Sequence, residues 1–331
     1  MKNKYSFKFG VIVLSLVLIA CSGGSADAGC PEIDGREINV VATTPMIGEF
    51  VSNVGGDNIN LTVLMPPEAD PHTYEPAPQD AGTIADADLV FYTGLMYEPA
   101  PLVELLENSV CGSEALAEVG ESVFPIEFKE GGHDDHDEEG HDDHDDHGGH
   151  EGHGHGAYDP HFWFDPNRVV YASEFIESKL IELDPSNAAS YQAAGDTYAT
   201  ELSSLTGQVS QLIGSIPSQN RKLITTHESL GYLEAKFGLE VLSTIVPDLD
   251  SSNEITPAQL VGVIDVIQDN NVKVIFIEAE APSVYAETIV AETGIKAVEG
   301  LWVETLKPGQ TYQEFLIAAV ELIVENLSNS D

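Results

Sequence analysis

Short apolar runs and helical stripes alternate along most of this chain. Residues 38–44 (INVVATT) are β-branched and apolar enough for a buried strand. Met46, Phe50 and Val51 follow at helical spacing, and 61–65 (LTVLM) is a second apolar run. A short helix over 77–87, a strand over 88–92 (DLVFY) and a helix over 99–108, marked by Leu102, Leu105 and Leu106, continue the series. Farther on, 169–182 reads as a helix, Asp184-Pro185-Ser186 as a helix start, and 188–213 as about seven helical turns without proline. Alternation then resumes: strands at 222–226, 240–246, 272–277 and 296–298, and helices at 230–237, 257–268 (capped by Thr256), 284–292 and 312–327. Continuous apolar strands separated by helices predict parallel sheets covered on both faces. The expected fold class is therefore α/β, with two lobes joined by one long helix.

Two segments break this pattern. Residues 131–156 hold no apolar side chain apart from glycine, cannot pack, and are expected to form a mobile surface loop. At the other extreme, Lys2, Lys4 and Lys8 precede a ten-residue apolar run, 11–20, which is short for a bilayer span and has the flanks of a signal peptide. Residues 18–21 (LIAC) resemble the lipobox of bacterial lipoproteins, with Cys21 the lipidated residue. The expected organisation is a signal peptide over 1–20, a tether over 21–36, a first lobe over 37–183 containing the loop 131–156, a linker helix over 184–214 and a second lobe over 220–331. With Cys21 set aside, Cys30 and Cys111 form a candidate disulfide in an oxidising compartment.

Composition adds one strong constraint. Against 56 acidic residues stand 13 basic ones, a net charge of −43, and the histidine tract holds only ten of the acids. The rest remains strongly acidic, which disfavours nucleic acid and anionic membrane surfaces as partners and enriches cations nearby.

Eight of the eleven histidines lie in the tract: His133, His136, His141, His144, His147, His150, His153 and His155. The other three stand in turns, His72 in DPHTYEP (70–76), His161 in DPHFWFDP (159–166) and His227 in TTHESLG (225–231). His227 directly follows a strand, where open α/β sheets bind ligands, and two Asp-Pro-His turns restrict the backbone before the imidazole. Histidines converging between lobes make a nitrogen-rich site, which favours zinc among divalent cations.

The lipobox, VVATT (40–44), DPHTYEP, DLVFYTGLMYE (88–98), the acidic His-rich insertion, DPHFWFDP, THESLGYL (226–233) and VIFIE (274–278) together resemble the zinc/manganese substrate-binding proteins of ABC transporters, the cluster A-I metal receptors. The resemblance covers nearly all of the chain after the leader. It implies two Rossmann-like lobes with parallel sheets joined by one rigid helix, and a single divalent metal in the cleft between them. The family's first three ligands fall on His72, His161 and His227. Zinc-type members keep histidine at the third position, where manganese-type members often have glutamate. The fourth position is usually aspartate, whereas this chain offers Glu304 in WVETLKPG (302–309). Its extra methylene leaves open whether Glu304 or a water completes the tetrahedron, and Glu278 is the alternative carboxylate, as a ligand or behind one. Zn2+ is the expected cargo and Mn2+ the second. An ABC permease with its ATPase is the expected partner of a monomer held at the extracytoplasmic membrane face by lipid on Cys21. The tract histidines are expected to capture metal weakly on the way to the cleft, because a loop loses entropy on closing around an ion.

Two other functions fit parts of the pattern. Three histidines with an open position also describe zinc hydrolases, but His227-Glu228 is followed by Gly231 where a His-Glu-x-x-His helix needs its second histidine, so no enzyme is expected. A surface adhesin or extracellular metal buffer stays open beside transport.

Overall fold

The computed structural model describes residues 33, 35–128, 158–251, 253–281 and 283–328. In the first lobe β1 (Ile38–Ala42) lies between β2 (Ile59–Val63) and β3 (Leu89–Tyr92), with β4 (Leu116–Glu118) beyond β3, and every neighbouring pair is parallel. Parallel strands need crossovers, supplied here by α1 (Pro45–Gly55), α2 (Pro78–Ala85) and α3 (Ala100–Ser109). Each opens with proline in its first turn, where a missing N–H costs nothing, and Thr44 caps α1 by accepting from the Ile47 amide.

Next come α4 (Pro166–Leu183), capped by Asp165, and α5 (Ala188–Gly214). At 27 residues α5 is about 40 Å long. Its buried stripe, Tyr191, Gly195, Tyr198, Leu202, Leu205, Val209 and Ile213, repeats at three- and four-residue steps. Along it lie α1 and α4 of the first lobe, and α6 (Gly231–Phe237) and α9 (Tyr312–Ser328) of the second.

The second lobe repeats the topology. Its sheet runs β6 (Glu240–Thr244), β5 (Lys222–Thr225), β7 (Val274–Glu278), β8 (Lys296–Leu301), again wholly parallel, with α6, α7 (Pro257–Asn270) and α8 (Ala286–Thr293) as crossovers. The expected two-lobe α/β class is the one observed. No helix among the described residues is long and apolar enough to cross a membrane.

The lobes do not have separate interiors. One apolar cluster joins Ile38, Val40 and Phe50 of the first lobe, Trp163 and Phe164 of the connecting segment, Leu202 and Val209 of α5, and Phe276, Leu301 and Phe315 of the second. Smaller clusters cover the far face of each sheet. Three hydrogen bonds reinforce the seam: Trp163 Nε1 donates to the Val303 carbonyl (2.8 Å), the Tyr312 hydroxyl to the Trp163 carbonyl (2.6 Å), and the Tyr232 hydroxyl to the Asp159 carbonyl (2.8 Å).

Three details depart from the pattern reading. β4 has no counterpart there, since three residues with one buried carry no period. β8 extends past its expected end through Glu299 and Gly300, and α4 starts three residues early because Asp165-Pro166 forms its cap and first turn. The lipobox cysteine Cys21 and the eight tract histidines lie outside the described residues. Cys111 is disulfide-bonded, while Cys30, its expected partner, also lies outside them.

Candidate metal centre

In both sheets the chain crosses over in opposite senses on either side of the first strand, so a crevice opens at the carboxyl ends of β1 and β3, and of β5 and β7. The two crevices face each other and four side chains meet there. His72 sits in a 3-10 turn, Pro71–Thr73, whose cap Asp70 accepts from the His72 amide at 3.0 Å. His161 repeats the device: Asp159 Oδ1 accepts from its amide at 2.8 Å and lies 2.7 Å from its Nδ1. His227 follows β5, and Glu278, at the end of β7, places Oε2 2.5 Å from its Nδ1. Beside Glu278 the β7–β8 ladder shifts register, with Gly300 of β8 left unpaired between Glu299 and Leu301.

With Nδ1 occupied on His161 and His227, both rings present Nε2 to a common point. Glu304 Oε1 lies 2.7 Å from His227 Nε2, 3.3 Å from His161 Nε2 and 3.5 Å from His72 Nε2. One donor atom from each of the four residues falls within 4.8 Å of the others. The longer glutamate side chain thus reaches the histidines. His227, His161 and Glu304 are buried, and the His72 side chain is 5% exposed. Although His227 Nε2 is close to Glu304, it is out of line for a hydrogen bond, and His72 Nε2 likewise has no hydrogen-bond partner. Buried nitrogens without partners are costly. A cation at their common point would satisfy both.

The charges agree. Burial pushes the His161 imidazolium down, but Glu304 and Asp159 outweigh it and raise its pKa to about 9. Burial acts the same way on His227, where Glu278 and then Glu304 lift it well above the usual value. Burial alone would raise Glu304, yet the histidines hold it well below the carboxylate range. The carboxylates beside His161 and His227 thus favour positive charge at this point.

Three further residues shape the site. Glu280 Oε1 accepts from the amides of Val303, Glu304 and Thr305 (3.1, 3.0 and 3.3 Å), fixing the backbone that carries Glu304. Burial and the Glu304 charge raise its pKa to about 7. The Tyr97 hydroxyl lies 2.9 Å from Glu304 Oε2 and 3.1 Å from the Glu304 carbonyl oxygen, donating across the cleft. Tyr97 is held by a loop in which Gly94, Leu95 and Met96 all have positive φ (76°, 54° and 64°), a conformation costing a non-glycine residue about 1–2 kcal/mol. Two carboxylates brace it. Glu98 accepts from Thr93 N, Gly94 N and Thr43 Oγ1, and Glu118 accepts from Leu95 N.

Nothing local in the sequence singles out Tyr97, whose role depends on the distant 303–305 segment. Asp159 and Glu280 carry a fainter signal, since Asp159 lies two residues before His161 and Glu280 two residues after Glu278.

His72 forms the outer edge. A cavity of about 820 Å³ opens onto it, lined by Glu98, Glu104, Glu107 and Glu118 from one lobe and Asp248 and Asp250 from the other. Such a mouth concentrates cations.

Comparison with known proteins follows the same lines. The family model described as "ZnuA: Zinc-uptake complex component A periplasmic" matches residues 40–326. The chain is 24% identical over 332 residues to the manganese-binding lipoprotein MntA of Halalkalibacterium halodurans, covering 98% of this chain and 99% of that protein. It is 29% identical over 337 residues to the high-affinity zinc uptake system protein ZnuA of Bacillus subtilis, covering 99% of each. Among solved structures, the periplasmic zinc binding protein TroA from Treponema pallidum matches with a TM-score of 0.74 at 23% identity, covering 88% of this chain and 100% of that one. At that identity the likeness concerns the fold.

Proposed function

The chain belongs to the zinc-uptake complex component A family of metal-receptor proteins, and from that premise we propose that it binds one Zn2+ between its lobes and hands it to an ABC permease. It is a metal-transporter substrate-binding protein and not an enzyme. His72, His161, His227 and Glu304 are the proposed ligands, with Asp159 and Glu278 orienting two of the rings from behind. The observation that carries the reading is the convergence of three imidazole Nε2 atoms on one carboxylate oxygen, two of those nitrogens being buried without a hydrogen-bond partner. Three nitrogens and one oxygen are a zinc donor set. Manganese is the competing cargo because relatives such as MntA are named for it, but it prefers a site richer in oxygen. The reading extends to lipidation at Cys21, an extracytoplasmic location, a Cys30–Cys111 disulfide and weak metal capture by the tract histidines.

Native mass spectrometry of protein loaded from an equimolar Zn2+ and Mn2+ buffer tests the centre of this reading. One zinc per chain is expected. One manganese would overturn the choice of metal, and no bound metal would overturn the receptor.

A further inference from the structure

Glu304 has two carboxylate oxygens, and the fold treats them differently. Oε1 faces the three histidines, while Oε2 receives the Tyr97 hydroxyl. Tyr97 comes from the loop after β3 in the first lobe and Glu304 from the segment after β8 in the second, so the bond spans the cleft. Neither end is free to drift. Tyr97 is buried, and its ring packs edge-on against His72 (centroids 5.2 Å, 73°) and Trp163 (5.2 Å, 71°). The Glu304 backbone is held by Glu280 on three successive amides.

We propose that Tyr97 is a positioning residue that sets the coordination number of the cargo: by holding Oε2 it leaves Oε1 as the single carboxylate donor, and the site takes its metal four-coordinate. This rests on the receptor reading above and deepens it. A tetrahedral ion with bonds of 2.0–2.1 Å has donor-to-donor edges of about 3.3 Å. The separations of Oε1 from His161 and His72 Nε2, 3.3 and 3.5 Å, already match that edge, and 2.7 Å from His227 is shorter. The full donor set lies within 4.8 Å, so at most about 1.5 Å of inward movement closes it. A carboxylate free to offer both oxygens would add a fifth donor, the direction in which manganese is favoured over zinc. The structure therefore assigns to a phenol that touches no metal the discrimination between cargoes.

Tyr97→Phe removes the hydroxyl and keeps the ring, with circular dichroism as the check on folding. Cobalt(II) is the probe, because its visible absorption is intense in tetrahedral sites and weak at higher coordination. The wild type is expected to give the intense spectrum, and Tyr97→Phe a several-fold weaker one at the same one-to-one stoichiometry. The ratio of zinc to manganese affinity should fall by about tenfold, the scale of one hydrogen bond to a charged group. Identical spectra and an identical ratio in the two proteins would overturn the role of Tyr97 and leave the receptor standing. If the wild type took up no metal, the receptor reading itself would fall. Zinc-edge X-ray absorption of the wild type needs no variant: a first shell of four nitrogen or oxygen donors supports the proposal, and five or more donors overturn it.

Discussion

Glu278 holds His227 by both ends. Its Oε2 is 2.5 Å from the ring Nδ1, and its Oε1 accepts from the His227 amide and the Ser229 hydroxyl, each at 3.2 Å. One carboxylate thereby sets the tautomer, the ring plane and the local backbone together, so Glu278→Gln should leave the fold intact and weaken zinc binding by about 10- to 100-fold, the range for such outer partners. Competition titration against a chelator measures it. An unchanged affinity would show that packing alone orients His227.

Replacing His161, His227 or Glu304 by alanine should cost more than Glu278→Gln in each case, because a donor disappears and the remaining ones stay buried. His72→Ala should cost least of the four, since its ring borders the acidic cavity and water from that side can take its place. Isothermal titration of the four variants gives the order. Equal losses at His72 and His227 would contradict it.

The raised His161 pKa, about 9 in the metal-free protein, has two consequences with definite signs. Zinc must displace protons, so its affinity should climb from pH 6 toward pH 9 by roughly tenfold per unit for each proton released, then level off. For folding, a raised imidazole pKa contributes stability that is complete below the unfolded value of 6.5 and is lost as pH rises through about 9. The melting temperature of metal-free protein should therefore fall across that window, while zinc-loaded protein stays nearly level. Scanning calorimetry of both forms between pH 6 and 9.5 checks the pair.

Deleting 133–155 should remove weak metal equivalents and preserve the single tight one. The four converging donors all lie outside the tract, and an antiparallel bridge between Glu127 and Tyr158 already brings its flanks together, so the gap can be closed without disturbing His161. Equilibrium dialysis counts the equivalents. Loss of the tight one would place part of the site in the tract.

Much of this was legible in the chain because strand and helix periods are local. The runs 38–44, 222–226 and 272–277 stand out by composition, and Asp-Pro-His marks two rigid turns, at 70–72 and 159–161. Glu304 stands in WVETLKPG at the position matching the family's fourth ligand, but its reach to the histidines depends on how segments of both lobes come together, which no local spacing encodes. Tyr97 and Glu280 were hidden for a deeper reason: each acts on the 303–305 segment, and a contact across the chain leaves no spacing to read.

The interior that runs without a break from Val40 to Phe315 makes this molecule double in topology and single in thermodynamics. Neither half would be a domain if expressed alone, because severing them would bare Trp163, Phe164 and the inner stripe of α5 to water on a scale that a marginal stability of about 5–15 kcal/mol does not tolerate. The two sheets should melt in one transition, with the same midpoint whether followed by Trp163 at the seam or by secondary structure across the whole. What resembles a pair of jaws is built as one solid body with a slot cut into it.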